Sequence, residues 1–258
     1  MDDAWSALRI HTAARIALGR CGSGLPTAEW LRFGVAHAQA RDAVHAPFEI
    51  DALAARLASL GFDSATVASA ATDRTTYLRR PDLGRRLDEA SIARLAAWPD
   101  AQGRLVIVVA DGLSATAVHA QAVDLLLELR PLIDAAGFTL APLLLAAQAR
   151  VALGDDIGER LGAQAVLVLI GERPGLSSPD SLGAYLTWAP RRGLADAARN
   201  CVSNIRPAGL PPAQAARTLA WLLQAARRLG QTGIGLKDES ASAALAAPIP
   251  QGRIAPAC

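Results

Sequence analysis

The sequence has little of what many enzymes use for catalysis or phosphate binding. Its 258 residues include a single lysine, Lys237, with four histidines and three cysteines. A P-loop is excluded because it needs a lysine directly after its glycines, and no G-x-G-x-x-G follows a predicted strand, so a dinucleotide site is unsupported. The G-x-S-x-G turn of α/β-hydrolases is also absent. A self-contained active site is therefore hard to assemble from this chain.

The histidines and cysteines are isolated along the chain. They are His11, His37, His45, His119, Cys21, Cys201 and Cys258. Because they show no spacing typical of metal ligands, no metal site is predicted, and the cysteines are expected to be free thiols.

Charge and hydropathy give no sign of a nucleic-acid or membrane partner. The 26 Lys and Arg residues and 24 Asp and Glu residues leave a formal net charge of +2. This small excess of positive charge does not indicate nucleic-acid binding. Every apolar run is shorter than the ~18–20 residues that span a bilayer. The acidic start, residues 1–3, is unlike a secretory signal, so a cytoplasmic location is expected.

The first part of the chain is predicted to be helical. Helices are expected over residues 5–18, 28–44 and 51–60. Thr27 is a suitable N-cap for the second of these helices. Since no strand pattern occurs before residue 72, residues 1–72 are expected to form a small all-helical N-terminal domain.

From residue 73 onward, short apolar runs alternate with helical segments. Strands are predicted at 105–110, 139–146, 165–170, 184–188 and 201–205, and helices at 115–136, 155–161 and 213–229. The alternation predicts an α/β domain over residues 73–238, with a Rossmann-like, open, mostly parallel sheet and flanking helices. Residues 239–258, rich in Ala and Pro, are expected to be a disordered tail.

Polar segments follow or flank three of the predicted strands, at residues 111–114, 171–176 and 200–205. In open α/β sheets, ligands bind at the carboxyl ends of the strands. The three segments are therefore predicted to line one shared cleft.

Each segment also has an ordinary structural explanation. Asp111 and Gly112 are typical of a turn, with Ser114 as the N-cap of the next helix. Glu172 suits a surface turn with a weak ion pair. Cys201 suits a small buried hydrophobic position.

Seven segments match, in order, those of a known family. They are residues 12–20, 40–44, 77–87, 111–114, 150–158, 171–176 and 199–205. The blocks R-P-D-x-G-R-R-L and G-E-R-P-G-L are the most specific. With these motifs the sequence resembles, over about residues 8–238, the small (light) subunit of ethanolamine ammonia-lyase.

The resemblance implies a carbon–nitrogen lyase that converts ethanolamine to acetaldehyde and ammonia by a radical mechanism. It implies adenosylcobalamin as the cofactor, which carries the radical chemistry while the protein binds and orients it. It also implies a large subunit, a TIM barrel that holds most of the substrate site, in a hetero-oligomer of several large–small pairs. The small subunit is expected to be inactive alone and to hold part of the corrin.

Three residues in matching motifs are expected to contact the cobalamin: Val151, Glu172 and Cys201. Val151 can pack against the apolar corrin edge, Glu172 can accept hydrogen bonds from corrin amides, and Cys201 offers a small, soft surface. Asp111 and Ser203 are further candidates from their position at strand ends. No histidine lies in a D-x-H-x-x-G motif, so the resemblance implies base-on binding, with the cofactor's own dimethylbenzimidazole on cobalt.

Some alternatives remain open from the sequence. The chain could be a stand-alone α/β ligand-binding module without catalysis, or a scaffold subunit. Residues 79–86, rich in arginine, could dock the large subunit or form internal ion pairs. The sequence starts close to its first predicted helix, whereas relatives from microcompartment-forming bacteria carry a long extension, so encapsulation is in doubt.

Overall fold

The protein is described here from a computed structural model covering residues 5–12, 14–98 and 101–241. Its helices are α1 (Thr27–His45), α2 (Ile50–Ser59), α3 (Arg74–Arg79), α4 (Glu89–Ala96), α5 (Ala115–Ala135), α6 (Leu153–Arg160) and α7 (Pro212–Leu229). Its strands are β1 (Ser64–Ala68), β2 (Leu105–Ala110), β3 (Leu143–Ala147), β4 (Ala165–Gly171), β5 (Leu182–Trp188) and β6 (Asn200–Ile205).

The six strands form one open sheet in the order β1-β3-β2-β4-β5-β6. The first four run parallel, whereas β5 pairs antiparallel with β4 and β6 antiparallel with β5. Parallel strands need a helical crossover, and no described helix lies between β4 and β5, so this pair forms antiparallel. The predicted α/β class, with a mostly parallel open sheet, is confirmed.

Both faces of the sheet are covered by helices. All six residues of β2 and all seven of β4 are buried, as expected for a parallel sheet between two helical layers. One core joins the sheet to α2, α5 and α7, and the other joins it to α4 and α6. The polar edge at the strand ends is left uncovered and carries the candidate site.

The N-terminal region differs from the prediction at two places. Strand β1 lies within residues 1–72 and pairs in parallel with β3, so the expectation of an all-helical region is wrong there. β1 was missed because it is a five-residue edge strand without a continuous apolar run. The predicted helix 5–18 is also wrong, since only Ser6–His11 forms a 3-10 helix.

The other helices of this region are confirmed. α1 and α2 lie within one residue of the predicted bounds, but α1 begins at Thr27, so the prediction that Thr27 is its N-cap is wrong. A domain boundary at residue 72 stays a prediction. Most of the predicted disordered tail lies outside the described residues.

Helix α1 carries an unusual surface. Its only buried residues are two alanines, Ala36 and Ala43, whereas Trp30, Leu31 and Val35 are each about three-fifths exposed. Large apolar side chains therefore point into solvent from a helix that contributes little to the core. Each helix in the described part of the chain is too short or too polar to span a bilayer.

Candidate cofactor-binding site

A cavity of about 460 Å³ opens at the carboxyl edge of the sheet. It is lined by Tyr77, Gly112, Leu113, Arg150, Val151, Ile170, Gly171, Glu172, Arg173 and Tyr185. The segments that follow β2 and β4 meet here, because the Leu113 amide donates to the Gly171 carbonyl at 2.9 Å. The sequence prediction of a shared cleft is confirmed for residues 111–114 and 171–176, but it is wrong for residues 200–205, none of which lines the cavity.

Two glycines let these segments approach closely. A Cβ on Gly112 would lie 2.3 Å from the carbonyl oxygen of Gly171. A Cβ on Gly171 would lie 2.0 Å from the carbonyl oxygen of Ser114. Gly112 also has φ +55°, in the left-handed region that favours glycine. Any side chain at either position would push the two segments apart and change the cavity.

Val151 lies in the loop between β3 and α6 and lines the cavity. Its neighbour Arg150 donates its backbone amide to the Gly84 carbonyl at 2.8 Å. A Cβ on Gly84 would lie 2.8 Å from Cγ of Arg150, so this contact needs glycine. Gly84, the glycine of the R-P-D-x-G-R-R-L block, thus supports the loop that carries Val151.

Glu172 follows β4 and its carboxylate is held from two sides. Ser181 Oγ donates to Oε2 of Glu172, and the backbone amide of Asn204 donates to the same oxygen at 3.2 Å. A carboxylate has about four acceptor positions, and among the described residues both bonds go to Oε2. Glu172 therefore keeps acceptor capacity on Oε1 for donors of a ligand in the cavity.

Cys201 lies on the edge strand β6, next to β5, and does not line the cavity. It is exposed on β6, directly opposite Tyr185 in register, so the expectation of a buried hydrophobic position is wrong. Because directly opposite residues of an antiparallel pair share one face of the sheet, Cys201 neighbours Tyr185, which does line the cavity. Desolvation raises the pKa of the Cys201 thiol. The structure thus places Val151 and Glu172 in one cavity and Cys201 beside it.

The further strand-end candidates have different positions. Ser114 accepts from the Ala117 amide as the N-cap of α5, which confirms its ordinary structural role. Asp111 is only 2% exposed and does not line the cavity. Ser203 is exposed on β6.

Sequence reasoning missed the aromatic wall of the cavity. Tyr77 is fully buried, with the guanidinium of Arg150 4.3 Å and that of Arg74 4.8 Å from its ring centroid. Burial raises the pKa of Tyr77 to about 12, and its hydroxyl donates to the Ala149 carbonyl at 3.2 Å. The nearest sequence signal was the position of Tyr77 as the first residue of the matching segment 77–87.

Comparison with known proteins identifies the family. A family model described as "Ethanolamine ammonia-lyase light chain (EutC)" matches residues 2–237. The chain belongs to this family. A relative from Azotobacter vinelandii, named ethanolamine ammonia-lyase small subunit, is 56% identical over 95% of this chain and 92% of its own.

Other relatives carry the same name. Those from Xanthomonas campestris and Pseudomonas aeruginosa are 56% and 53% identical, over 92% and 97% of this chain and 89% and 93% of their own. The resemblance found in the sequence is thereby confirmed. A small subunit of an ethanolamine ammonia-lyase implies a large-subunit partner and a lyase activity that belongs to the complex.

The cavity suits one part of a cobalamin. Val151, Ile170 and Leu113 supply an apolar surface for a macrocycle edge, and the free oxygen of Glu172 suits amide donors. At about 460 Å³ it has the volume of a pocket for a drug-sized group, so a whole cobalamin would extend beyond it. The residues that line the cavity therefore fit one part of the cofactor.

Proposed function

We propose that this chain is the cobalamin-holding small subunit of an adenosylcobalamin-dependent ethanolamine ammonia-lyase, a carbon–nitrogen lyase that forms acetaldehyde and ammonia from ethanolamine. The observation that carries the proposal is the open cavity lined by both an apolar side chain, Val151, and an anchored carboxylate, Glu172. When bound, base-on adenosylcobalamin supplies the radical that starts the reaction. This chain binds and orients it.

Each proposed contact has a distinct task. Val151 packs against the apolar edge of the corrin, and Glu172 accepts from its amide side chains and thereby fixes its rotation in the cavity. Cys201 leaves space beside Tyr185, where a larger side chain would collide with the cofactor. The site then positions the cofactor without itself supplying an acid, a base or a nucleophile.

The partner is proposed to be a TIM-barrel large subunit that holds ethanolamine, in an assembly of several large–small pairs. The exposed Trp30, Leu31 and Val35 on α1 supply an apolar patch of the kind that marks a protein interface. In the arginine-rich block, Arg80 and Arg86 both pair with Asp82, which supports internal ion pairs there. A cytoplasmic location is part of the proposal, and encapsulation stays an open alternative.

A reconstitution assay tests this function. The purified chain, an ethanolamine ammonia-lyase large subunit and adenosylcobalamin are mixed, and acetaldehyde formation from ethanolamine is followed. Activity that needs both chains is expected. A complex that takes up the cofactor but leaves ethanolamine unchanged would indicate a different substrate, and failure to form a complex would favour a stand-alone ligand-binding module.

A further inference from the structure

Asp111 is a buried carboxylate that holds the loop after β3. Its Oδ2 accepts from the Gln148 amide at 3.0 Å, and its Oδ1 accepts from the Ala149 amide, also at 3.0 Å. The nearest cation is Arg74, whose Nη1 lies 3.6 Å from Oδ2. Both oxygens therefore bind consecutive backbone amides of one loop, whereas the arginine lies beyond hydrogen-bond distance.

The loop needs such a support because its backbone is strained. Gln148 has φ +53°, in the left-handed region that non-glycine residues rarely adopt without surrounding support. Ser69 adds a further anchor, since its hydroxyl donates to the Gln148 carbonyl at 2.6 Å. The bend at Gln148 turns the chain from β3 toward the cavity.

The residues that follow the bend line the cavity. Arg150 and Val151 come two and three positions after Gln148. The Tyr77 hydroxyl donates to the Ala149 carbonyl, and the Arg150 guanidinium stacks on the Tyr77 ring. Two of the groups that hold this loop, Asp111 and Ser69, do not line the cavity, so they act on Val151 only through the loop backbone.

We infer that Asp111 is a positioning residue for the cobalamin site: it fixes the loop at Gln148 and Ala149 and so places Val151 against the cofactor. This inference rests on the proposed function, in which Val151 contacts the corrin. Asp111 acts indirectly, through the loop backbone, because it is almost fully buried and does not line the cavity.

The test replaces Asp111 by its isosteric amide in the complex with the large subunit. In Asp111→Asn one loop amide faces an NH₂ group instead of an acceptor, so a buried donor is left unpaired. We expect cobalamin to bind about tenfold more weakly, because the released loop would hold Val151 in the binding position in only about one molecule in ten, and the apparent affinity falls by that fraction. The apparent KM for adenosylcobalamin should rise, while kcat at saturating cofactor is retained.

Asp156→Asn is the matched control. Asp156 is also buried and also accepts a backbone amide, that of Leu87, and an arginine, Arg160, but it does not hold the loop. This variant should lose stability without losing cofactor affinity. Hydrogen exchange at the amides of residues 148 and 149 should accelerate in Asp111→Asn and stay unchanged in Asp156→Asn.

A milder variant covers the case in which Asp111→Asn fails to fold. Ser69→Ala removes the other anchor of Gln148 and should weaken cofactor binding in the same direction by a smaller factor. The inference would be overturned if the folded variant, Asp111→Asn or Ser69→Ala, bound cobalamin as tightly as the wild type. It would also be overturned if Asp156→Asn lost as much cobalamin affinity as Asp111→Asn. Either result would leave the proposed function standing. A wild-type complex that takes up no cobalamin would overturn the proposed function and the inference with it.

Discussion

Val151 and Glu172 show how far single residues could be located from the sequence. Both were proposed from motifs shared with a known family, and only Glu172 also lies in a polar segment that the strand-end rule had predicted to line a cleft. Tyr77 could not be found this way, because its role depends on two arginines that reach it from distant positions. Cys201 was misjudged because the exposure of a residue on an edge strand depends on what covers that edge.

The first residue-scale prediction concerns Val151. Val151→Arg should weaken cobalamin binding in the two-subunit complex by at least about tenfold, because the longer, charged side chain fills the cavity and desolvating its charge is costly. The fold should be retained, since Val151 is only partly buried. Val151→Leu keeps an apolar surface and should bind nearly as the wild type does, as measured by absorbance titration.

Cys201 provides a second residue-scale prediction. Desolvation raises the pKa of its thiol above the usual value of 9.0, and only the thiolate reacts with iodoacetamide. The alkylation rate at Cys201 should therefore keep rising above pH 9, as followed site by site by mass spectrometry. In the complex, cobalamin should slow this reaction. Equal rates with and without cofactor would remove Cys201 from the proposed contacts.

At the scale of elements, the sequence predicted those with strong periodicity or continuous apolar runs. β2, β4, α5 and α7 were all located, since each buries residues in a regular pattern. β1 was not, because an edge strand needs no continuous apolar run and is identified only by its pairing with β3. The directions of the last two strands likewise follow from connection lengths rather than from composition.

The pair between Asp155 and Arg199 gives a prediction for helix α6. Both side chains are almost fully buried, and the pair joins α6 to the segment before β6. Burial raises the pKa of Asp155 to about 6. Because the folded state thus holds this proton more tightly than the unfolded chain, the group's contribution to stability is largest below about pH 4 and falls as the pH rises to about 6.

Arg199→Met should therefore destabilise the fold in a pH-dependent way. At pH 8 the free energy of unfolding should drop by about 3–5 kcal/mol, since a buried carboxylate is left uncompensated. The deficit should shrink toward pH 5, where Asp155 can take up a proton. Denaturant titrations of both proteins at the two pH values measure this, and a deficit that does not change with pH would contradict it.

At the scale of the whole molecule, the structure has the features of one part of a larger assembly. The cavity is open to solvent, and α1 exposes large apolar side chains. A monomeric protein rarely leaves such a patch uncovered. Composition and motifs predicted the partner only through the family resemblance, because an exposed apolar face has the same residues as a buried one.

Helix α1 provides the whole-molecule prediction. Trp30→Asp should weaken association with the large subunit, measured by analytical ultracentrifugation, because a charge would have to be desolvated in the interface. Gln39→Asp adds the same charge at another exposed position of α1 and should change the association little. Equal affinities for Trp30→Asp and the wild type would show that α1 lies outside the interface.

The central claim is that this chain completes a cobalamin site shared with a large subunit. The most direct measurement is an equilibrium titration of adenosylcobalamin into the large subunit alone, into this chain alone and into their complex, followed by the cofactor's absorbance. We predict tight binding only to the complex, weakened by Glu172→Ala. Equally tight binding to the large subunit alone would contradict the claim.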